Sequence, residues 1–320
     1  MALRMPFNQD FWQEYLAGQE ASLPVLPDIS TLSNRVTRIL GGNPGAMHLQ
    51  GTNTYLVGTG RERILIDTGQ GLPVWLNRIA DLLSSHDISI SHILLTHWHG
   101  DHTGGVPDLI SHEPSLARHV YKALPDRDQN GIDDGQIFSV PGATIRAIFT
   151  PGHSIDHMCF LLEEENALFT GDNVLGHGYS VAPDLGQYMQ SLERMKGLGA
   201  TLGYPAHGAV IEDLNARVEE YIHHKEVRVR GVLSVLVKER ERVSNEGTPG
   251  RMRVRKGGMT LREIVRAVFG TVPEEVIEQA LAPFLLQVLW KLTEDRRVGF
   301  EPGDPWKRKW FAVVSARQLK

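Results

Sequence analysis

The stretch Thr96-His97-Trp98-His99-Gly100-Asp101-His102 places four candidate metal ligands within six residues, directly after an apolar run that predicts a β-strand. Because side chains alternate along a strand, its end puts the first two histidines on one side. The glycine that follows lets the chain turn, so that the aspartate and the last histidine point to a neighbouring position. The pattern therefore predicts one loop that serves two adjacent metal ions.

Three later segments repeat this order of strand, turn and ligand. The candidate ligands in them are His153 after Ile145–Phe149, Asp172 after Ala167–Phe169, and His207 after an apolar run at Leu202. A lone histidine after a strand is usually an ordinary core or surface residue, but three such positions beside the first cluster favour a shared site. Two adjacent dications repel each other, and the carboxylates supply the negative charge that imidazoles lack.

The surrounding pattern is that of an α/β protein. Short apolar runs predict strands, and longer amphipathic runs predict helices over Pro73–Leu83 and Tyr188–Leu198. The predicted strands are Ile64–Ile66, Ile93–Leu95, Ile145–Phe149, Met158–Leu162 and Ala167–Phe169. We expect an N-terminal arm over residues 1–30 that packs on the core, a catalytic domain over 31–212, and a mainly helical domain over 213–320.

Composition narrows the class of protein. The chain has 320 residues, 41% of them hydrophobic, which is enough for a substantial core. Its 33 basic and 38 acidic residues give a formal charge of -5, so no overall positive field marks a nucleic-acid binder. The single cysteine, Cys159, allows no intrachain disulfide and fits a reducing compartment. Because no signal peptide or run of about 20 apolar residues is evident, a cytoplasmic protein is expected.

The motifs together resemble the metallo-β-lactamase superfamily across roughly residues 30–212. They are His-x-His-x-Asp-His from His97, Pro-Gly-His ending at His153, Gly-Asp ending at Asp172 and Pro-x-His ending at His207. The resemblance implies an αββα sandwich with the site at one edge of its two sheets. For the mainly helical domain predicted over 213–320, which lies beyond this resemblance, a winged-helix-like form is one option.

The resemblance also implies a ligand assignment. His97, His99 and His153 would hold the first metal ion, Asp101, His102 and His207 the second, and Asp172 would bridge them together with a water or hydroxide. Asp101 is in addition our candidate catalytic residue, because a carboxylate beside that hydroxide can orient it and exchange a proton with it. Zinc is the expected metal, although this ligand set also tolerates manganese or iron.

Several residues near the ligands in the sequence have either a supporting role at the site or an ordinary structural role. Asp67, in Ile-Asp-Thr-Gly, resembles the family turn that orients the metal loop without touching metal. His157 is a candidate supporting residue, whereas His48 is expected to be structural or exposed. Strand packing explains Asn53–Tyr55 as well as a role at the site does, so no role is assigned to them. Residues 174–185 are either a wall of the substrate channel or a simple connector.

Three segments resemble the stand-alone thioesterases of fungal non-reducing polyketide pathways. They are Pro6–Trp12, Gly51–Val57 and His97–Leu109, and the similarity extends through nearly the whole chain. It implies hydrolysis of the thioester that joins an aromatic polyketide to an acyl carrier protein, with release of atrochrysone carboxylic acid or a related acid. No cysteine is present among the predicted ligands, whereas the best-known zinc β-lactamases use one, so antibiotic hydrolysis is not expected.

Two other classes remain open. The same core with a helical C-terminal domain also resembles the animal β-lactamase-like endoribonuclease, and basic residues at 251–256 and at Lys307–Lys309 could hold phosphates. In the thioesterase interpretation, those residues would steer an acidic carrier protein, or simply be a solvated charged face. A non-enzymatic binding module is the third class, and the complete ligand set argues against it.

Overall fold

The computed structural model describes residues 23–45, 47–245 and 257–315. Its first sheet has seven strands that follow one another in chain order. The first four pair antiparallel and the remaining ones pair parallel. They are β1 (Ile29–Thr31), β2 (Val36–Leu40), β3 (Asn53–Val57), β4 (Glu62–Ile66), β5 (Ser89–Leu94), β6 (Val120–Lys122) and β7 (Asn130–Gly131).

The second sheet has five strands in the order β12-β11-β10-β9-β8. All neighbours pair antiparallel except β11 and β12, which are parallel. The strands are β8 (Ile137–Val140), β9 (Ala143–Phe149), β10 (Met158–Leu162), β11 (Ala167–Gly171) and β12 (Leu202–Pro205).

Helices flank and follow the sheets. In the part of the chain that the structure describes they are α1 (Pro73–Ser85), α2 (Gly100–Thr103), α3 (Val106–His112), α4 (Leu185–Gly197), α5 (Leu214–Asn245), α6 (Leu261–Phe269), α7 (Glu274–Val276) and α8 (Ala282–Glu294). None of these helices has the length and apolar character that crossing a bilayer requires.

The core has two layers because central strands of the first sheet are buried on both faces. In β4, Ile64 and Ile66 join the cluster between the two sheets, whereas Leu65 joins the cluster under α1 and α3. This division follows from the two-residue period of a strand, and it explains why the last three residues of β4, Ile64–Ile66, are all apolar rather than alternating. Truncation of a fully buried leucine such as Leu65 to alanine typically costs about 2–5 kcal/mol.

The loops after the strands of both sheets meet at one edge. Because β4 and β5 are parallel, Asp67 follows β4 beside the end of β5, and its N–H donates to the Leu94 carbonyl at 3.0 Å. The second sheet reaches the same place, where the Met158 N–H donates to the Thr96 carbonyl at 2.8 Å. The predicted α/β class, with two sheets and a helical C-terminal region, is confirmed.

The described residues divide into two compact units. One holds 23–183 and 187–221, and the other holds 184–186, 222–245 and 257–315. The second unit contains α6 to α8 and an antiparallel sheet in the order β13-β15-β14, formed by β13 (Met259–Thr260), β14 (Val298–Phe300) and β15 (Lys309–Ala312). The division falls within α5, whereas the boundary predicted at residues 212/213 lies just before that helix and stays a prediction. The predicted arm over residues 1–30 lies mostly outside the described residues.

Candidate metal centre

The seven predicted ligands converge in two groups. The first is His97, His99, His153 and Asp172, and the second is Asp101, His102 and His207, with the ligand atoms of each group within 4.8 Å of one another. Asp172 also lies against the second group, because its Oδ1 is 3.3 Å from His207 Nε2. These side chains come from loops after β5, β9, β11 and β12, which are distant in the chain. The arrangement can therefore hold a metal ion, and Asp172 lies between the two groups.

The hydrogen bonds of the first group aim its nitrogen lone pairs at one point. The Thr96 hydroxyl donates to Asp67 at 2.9 Å, so its oxygen is left to accept from His97 Nδ1 at 3.0 Å. His153 Nδ1 donates to the Val181 carbonyl at 2.8 Å. The Nε2 atoms of both histidines consequently face His99 Nδ1, at 2.8 and 3.1 Å.

Buried polar atoms without partners show that the residues fit a metal ion. Neither His102 Nε2 nor Asp172 Oδ1 makes a hydrogen bond within the described residues, although both are buried. Leaving such atoms unpaired is costly, and imidazole nitrogens together with carboxylate oxygens are preferred zinc ligands. The donor set therefore suits divalent cations of the zinc type, and manganese or iron remain compatible with it.

Asp67 fixes the loop that carries the first four ligands. Its carboxylate accepts from the Thr96 N–H and from His102 Nδ1, each at 2.8 Å. The second bond sets the tautomer of His102 and leaves its Nε2 free to face the second group. These contacts agree with the predicted supporting role of Asp67, which is not a member of either ligand group.

His157 supports Asp172 in a similar way. The fully buried His157 ring accepts the Asp172 N–H through Nε2 at 3.1 Å, and Nδ1 pairs with the Thr150 hydroxyl at 3.0 Å. Gly171, with φ of 51°, leaves no room for a β-carbon, which would lie 2.5 Å from His157 Nε2. A glycine directly before Asp172 is therefore required by both backbone conformation and space.

Two features at the site were missed by the sequence analysis. The Asn53 amide donates to the carbonyls of Pro205 and Gly208, both at 2.8 Å, so the start of β3 fastens the loop of His207. A buried asparagine at the start of a strand needs hydrogen-bond partners, and this requirement could have indicated a contact with another loop. His48, expected to be structural or exposed, has its Nε2 3.6 Å from Asp101 Oδ2. No sequence pattern marks His48, because its neighbours form no strand-and-turn motif.

The segment after Asp172 is anchored to α5. The Tyr221 hydroxyl donates to the Gly178 carbonyl at 2.9 Å and accepts from the Leu175 N–H at 3.0 Å. Arg217 also donates to the Gly178 carbonyl and lies over the Tyr221 ring. Since this segment includes Val181, which orients His153, residues 174–185 are more than a simple connector.

The electrostatics of the two groups differ. Burial and the neighbouring imidazole of His153 lower the pKa of His99 to about 4, so this ring is neutral at cellular pH. Burial also disfavours the charged form of His207, but the carboxylates of Asp172 and Asp101 outweigh it and raise its pKa to about 9. The pKa of Asp172 is held well below its usual range by His207 and His102 against the opposing effect of burial.

Cys159 is not part of the centre. It is fully buried on β10, where its sulfur accepts from the Thr150 hydroxyl at 3.3 Å. Burial raises the pKa of the Cys159 thiol to about 12, so no thiolate is present at neutral pH. The expectation of a ligand set without cysteine agrees with the two groups that converge.

The sequence matches a known family and is highly similar to known fungal proteins. The family model described as "Metallo-beta-lactamase superfamily" matches residues 49–207, a span that contains all seven converging side chains. The "Lactamase-like protein nscB" of Neosartorya fischeri is 78% identical over 315 residues, covering 98% of this chain and 95% of that protein. The chain belongs to the metallo-β-lactamase superfamily.

Other members of the superfamily agree in sequence or in fold. The "Lactamase-like protein nscB" of Aspergillus fumigatus is 77% identical over 314 residues, covering 98% of this chain and 94% of that protein. The solved structure of a beta-lactamase domain protein from Burkholderia ambifaria has a TM-score of 0.70 at 17% identity and covers 91% of this chain and 95% of that one. At that identity, the solved structure supports the fold alone. The family model and the similar sequences establish that the chain is a hydrolase of the metallo-β-lactamase superfamily.

Proposed function

We propose that this chain is a metal-dependent thioesterase that hydrolyses an acyl carrier protein-bound polyketide thioester and releases an aromatic polyketide acid. The observation that carries the proposal is the convergence of seven imidazole and carboxylate ligands, without cysteine, around buried atoms that lack partners. Divalent cations in such a site, two zinc ions in our proposal, supply Lewis acidity and a nucleophile at neutral pH. Together these are sufficient to hydrolyse a thioester without a protein nucleophile.

Asp101 is the residue of this chain to which we assign the handling of the proton. Asp101 Oδ2 lies 3.2 Å from both His102 Nε2 and His207 Nε2, and the side chain is 14% exposed. It is therefore a carboxylate that an attacking water at this edge can reach. We assign to Asp101 the orientation of that water and the acceptance of its proton, in addition to its ligand role.

Support for a thioester comes from the chain as a whole. The segments that resemble fungal polyketide thioesterases extend beyond the ligand motifs, and the relatives at 78% and 77% identity are fungal proteins. The formal charge of -5 disfavours binding to RNA phosphates, which the endoribonuclease interpretation requires. We place the reaction in the cytoplasm, where carrier proteins of such synthases would be the partner.

The predicted docking residues form two basic clusters, and the structure describes the second of them. The basic residues at 251–256 lie outside the described residues. Of the second cluster, Arg308 lies over the rings of Phe300 and Trp310 and donates to the Gly303 carbonyl, so it stabilises its own unit. Lys307 and Lys309 are exposed, and in our proposal they are the cations of this cluster that contact an acidic carrier protein.

The test compares thioester hydrolysis with RNA cleavage. Metal-loaded protein is incubated with a synthase carrying its finished polyketide and, separately, with RNA, and products are measured by mass spectrometry. We expect release of the polyketide acid by the wild type and a loss of at least about a hundredfold in Asp172→Ala, with little change in Asp128→Ala, an exposed carboxylate control. Metal-dependent RNA cleavage without acid release would replace this proposal with the nuclease.

A further inference from the structure

Exposed apolar side chains are close neighbours in the chain of the residues at the site. Met47, Trp98, Ile155 and Val181 are 56%, 57%, 68% and 53% exposed, respectively. We call these four residues the apolar rim. Each lies within two residues of a side chain at the site or is bonded directly to one, as Val181 is to His153. Exposed large apolar side chains carried by the ligand loops themselves are available to contact a substrate bound at the centre.

Trp98 is the most informative member of the apolar rim. It lies between His97, which is fully buried, and His99, against whose ring it packs edge to face with centroids 4.6 Å apart. The loop is fixed on both sides, because Asp67 holds Thr96 and His102. Trp98 therefore presents an indole from a rigid backbone directly beside a ligand, with more than half of its surface in solvent.

Two other members of the apolar rim are also on ordered backbone. The Ser154 hydroxyl donates to Asp156 at 2.8 Å, which fixes the turn that carries Ile155. The Val181 carbonyl accepts from His153 Nδ1 at 2.8 Å, so the backbone that carries the Val181 side chain is joined to the ligand. A surface whose members are already ordered loses little conformational entropy when it binds a ligand.

We propose that the apolar rim binds the fused aromatic rings of the acyl group and that Trp98 is a specificity-determining residue for planar aromatic acyl chains. The inference rests on the proposed function and adds its selectivity. Aromatic faces attract one another in offset or edge-to-face geometry beyond the effect of area alone, so a planar ring gains more from Trp98 than an aliphatic chain does. None of the four residues is charged, which disfavours a nucleotide, whose phosphates need cations near the stacked base.

The test measures binding separately from hydrolysis. The probes are thioether analogues that cannot be hydrolysed, one with a 2-naphthylmethyl group and one with an octyl group on N-acetylcysteamine. Each is titrated by calorimetry into the metal-loaded full chain, as wild type, Trp98→Ala and Trp98→Phe. Ile137→Ala, which removes a 60% exposed apolar side chain on β8, is the matched control, and bound metal is measured for every variant.

We expect Trp98→Ala to weaken binding of the naphthyl probe by about tenfold, or ~1.4 kcal/mol. Binding of the octyl probe should change by less than about threefold, and Trp98→Phe should restore most of the naphthyl affinity. Equal losses for the two probes, or no loss of naphthyl binding, would overturn the proposal. If naphthyl binding depends on Trp98 but the wild type hydrolyses no thioester, the apolar rim stands and the proposed reaction fails.

Discussion

Asp67 adopts a left-handed backbone conformation, with φ of 58°, at the turn where β4 ends. This conformation is sterically unfavourable for residues other than glycine, and the energetic cost is smallest for aspartate and asparagine. Here the conformation lets one carboxylate reach both the Thr96 N–H and His102 Nδ1. The strained backbone thus allows Asp67 to hold a ligand in one orientation. The turn requires both a residue that tolerates a positive φ and a carboxylate that accepts these two hydrogen bonds.

Replacement Asp67→Asn tests that role. Asparagine keeps the shape and tolerates the backbone conformation, but it removes the charge that orients His102. We expect affinity for metal to fall by about 10–100-fold with secondary structure unchanged, measured by competition with a coloured chelator. Asp128→Asn, at an exposed carboxylate, should retain wild-type affinity. Unchanged affinity in Asp67→Asn would assign the residue a purely structural role.

Binding of metal at the second group should depend on pH. The pKa of His207 is raised to about 9 by Asp172 and Asp101 despite burial, so without metal this ring is protonated below that pH. A cation must displace the proton, hence affinity rises with pH and levels off above about 9. Titration of bound metal between pH 6 and 9 should give about a tenfold change per pH unit for each proton displaced. Occupancy independent of pH would contradict this assignment.

At the scale of elements, hydrogen bonds to α5 hold the segment after Asp172. Tyr221→Phe removes the hydroxyl that bonds both Leu175 and Gly178, at a cost of about 1–3 kcal/mol for unpaired buried groups. We expect faster amide exchange over 173–183 and about three- to tenfold weaker metal binding, because Val181 then orients His153 less well. Tyr121→Phe, on β6, is the matched control, and unchanged exchange in Tyr221→Phe would refute the anchoring role.

The elements that the sequence predicted well are those with a strong local signal. The run Ile64–Ile66 and the turn after it place β4 correctly, since an apolar strand followed by Asp-Thr-Gly has few other readings. By contrast, Asn53 looks like any polar residue at a strand start until the loop of His207 is folded against it. Contacts between segments about 150 residues apart depend on closure of the two sheets, and no local pattern encodes them.

At the scale of the whole molecule, the chain divides into two units, and the ligand motifs predict the structure of only one of them. All seven ligands lie in the unit formed by residues 23–183 and 187–221, so the ligand pattern carries no information about the C-terminal unit. That unit has its own local signals, such as the capping box of Thr260 and Glu263 at the start of α6. Helices there were predictable from capping and periodicity, whereas β13 and β15, which pair across about 50 residues, were not.

Removal of metal should destabilise one unit and leave the other nearly unchanged. A ligand present at 1,000 times its Kd stabilises the folded state by about 4 kcal/mol, which for a unit of this size corresponds to a Tm shift of about 10 °C. Chelation should therefore lower the main calorimetric transition by that amount and speed amide exchange in β9 to β12. Exchange in α8 should stay the same, because both ligand groups lie outside its unit. A His153→Ala/Asp172→Ala variant should show no response to the chelator, and a wild-type Tm unchanged after complete loss of metal would mean that the ligand cluster is stable without cations.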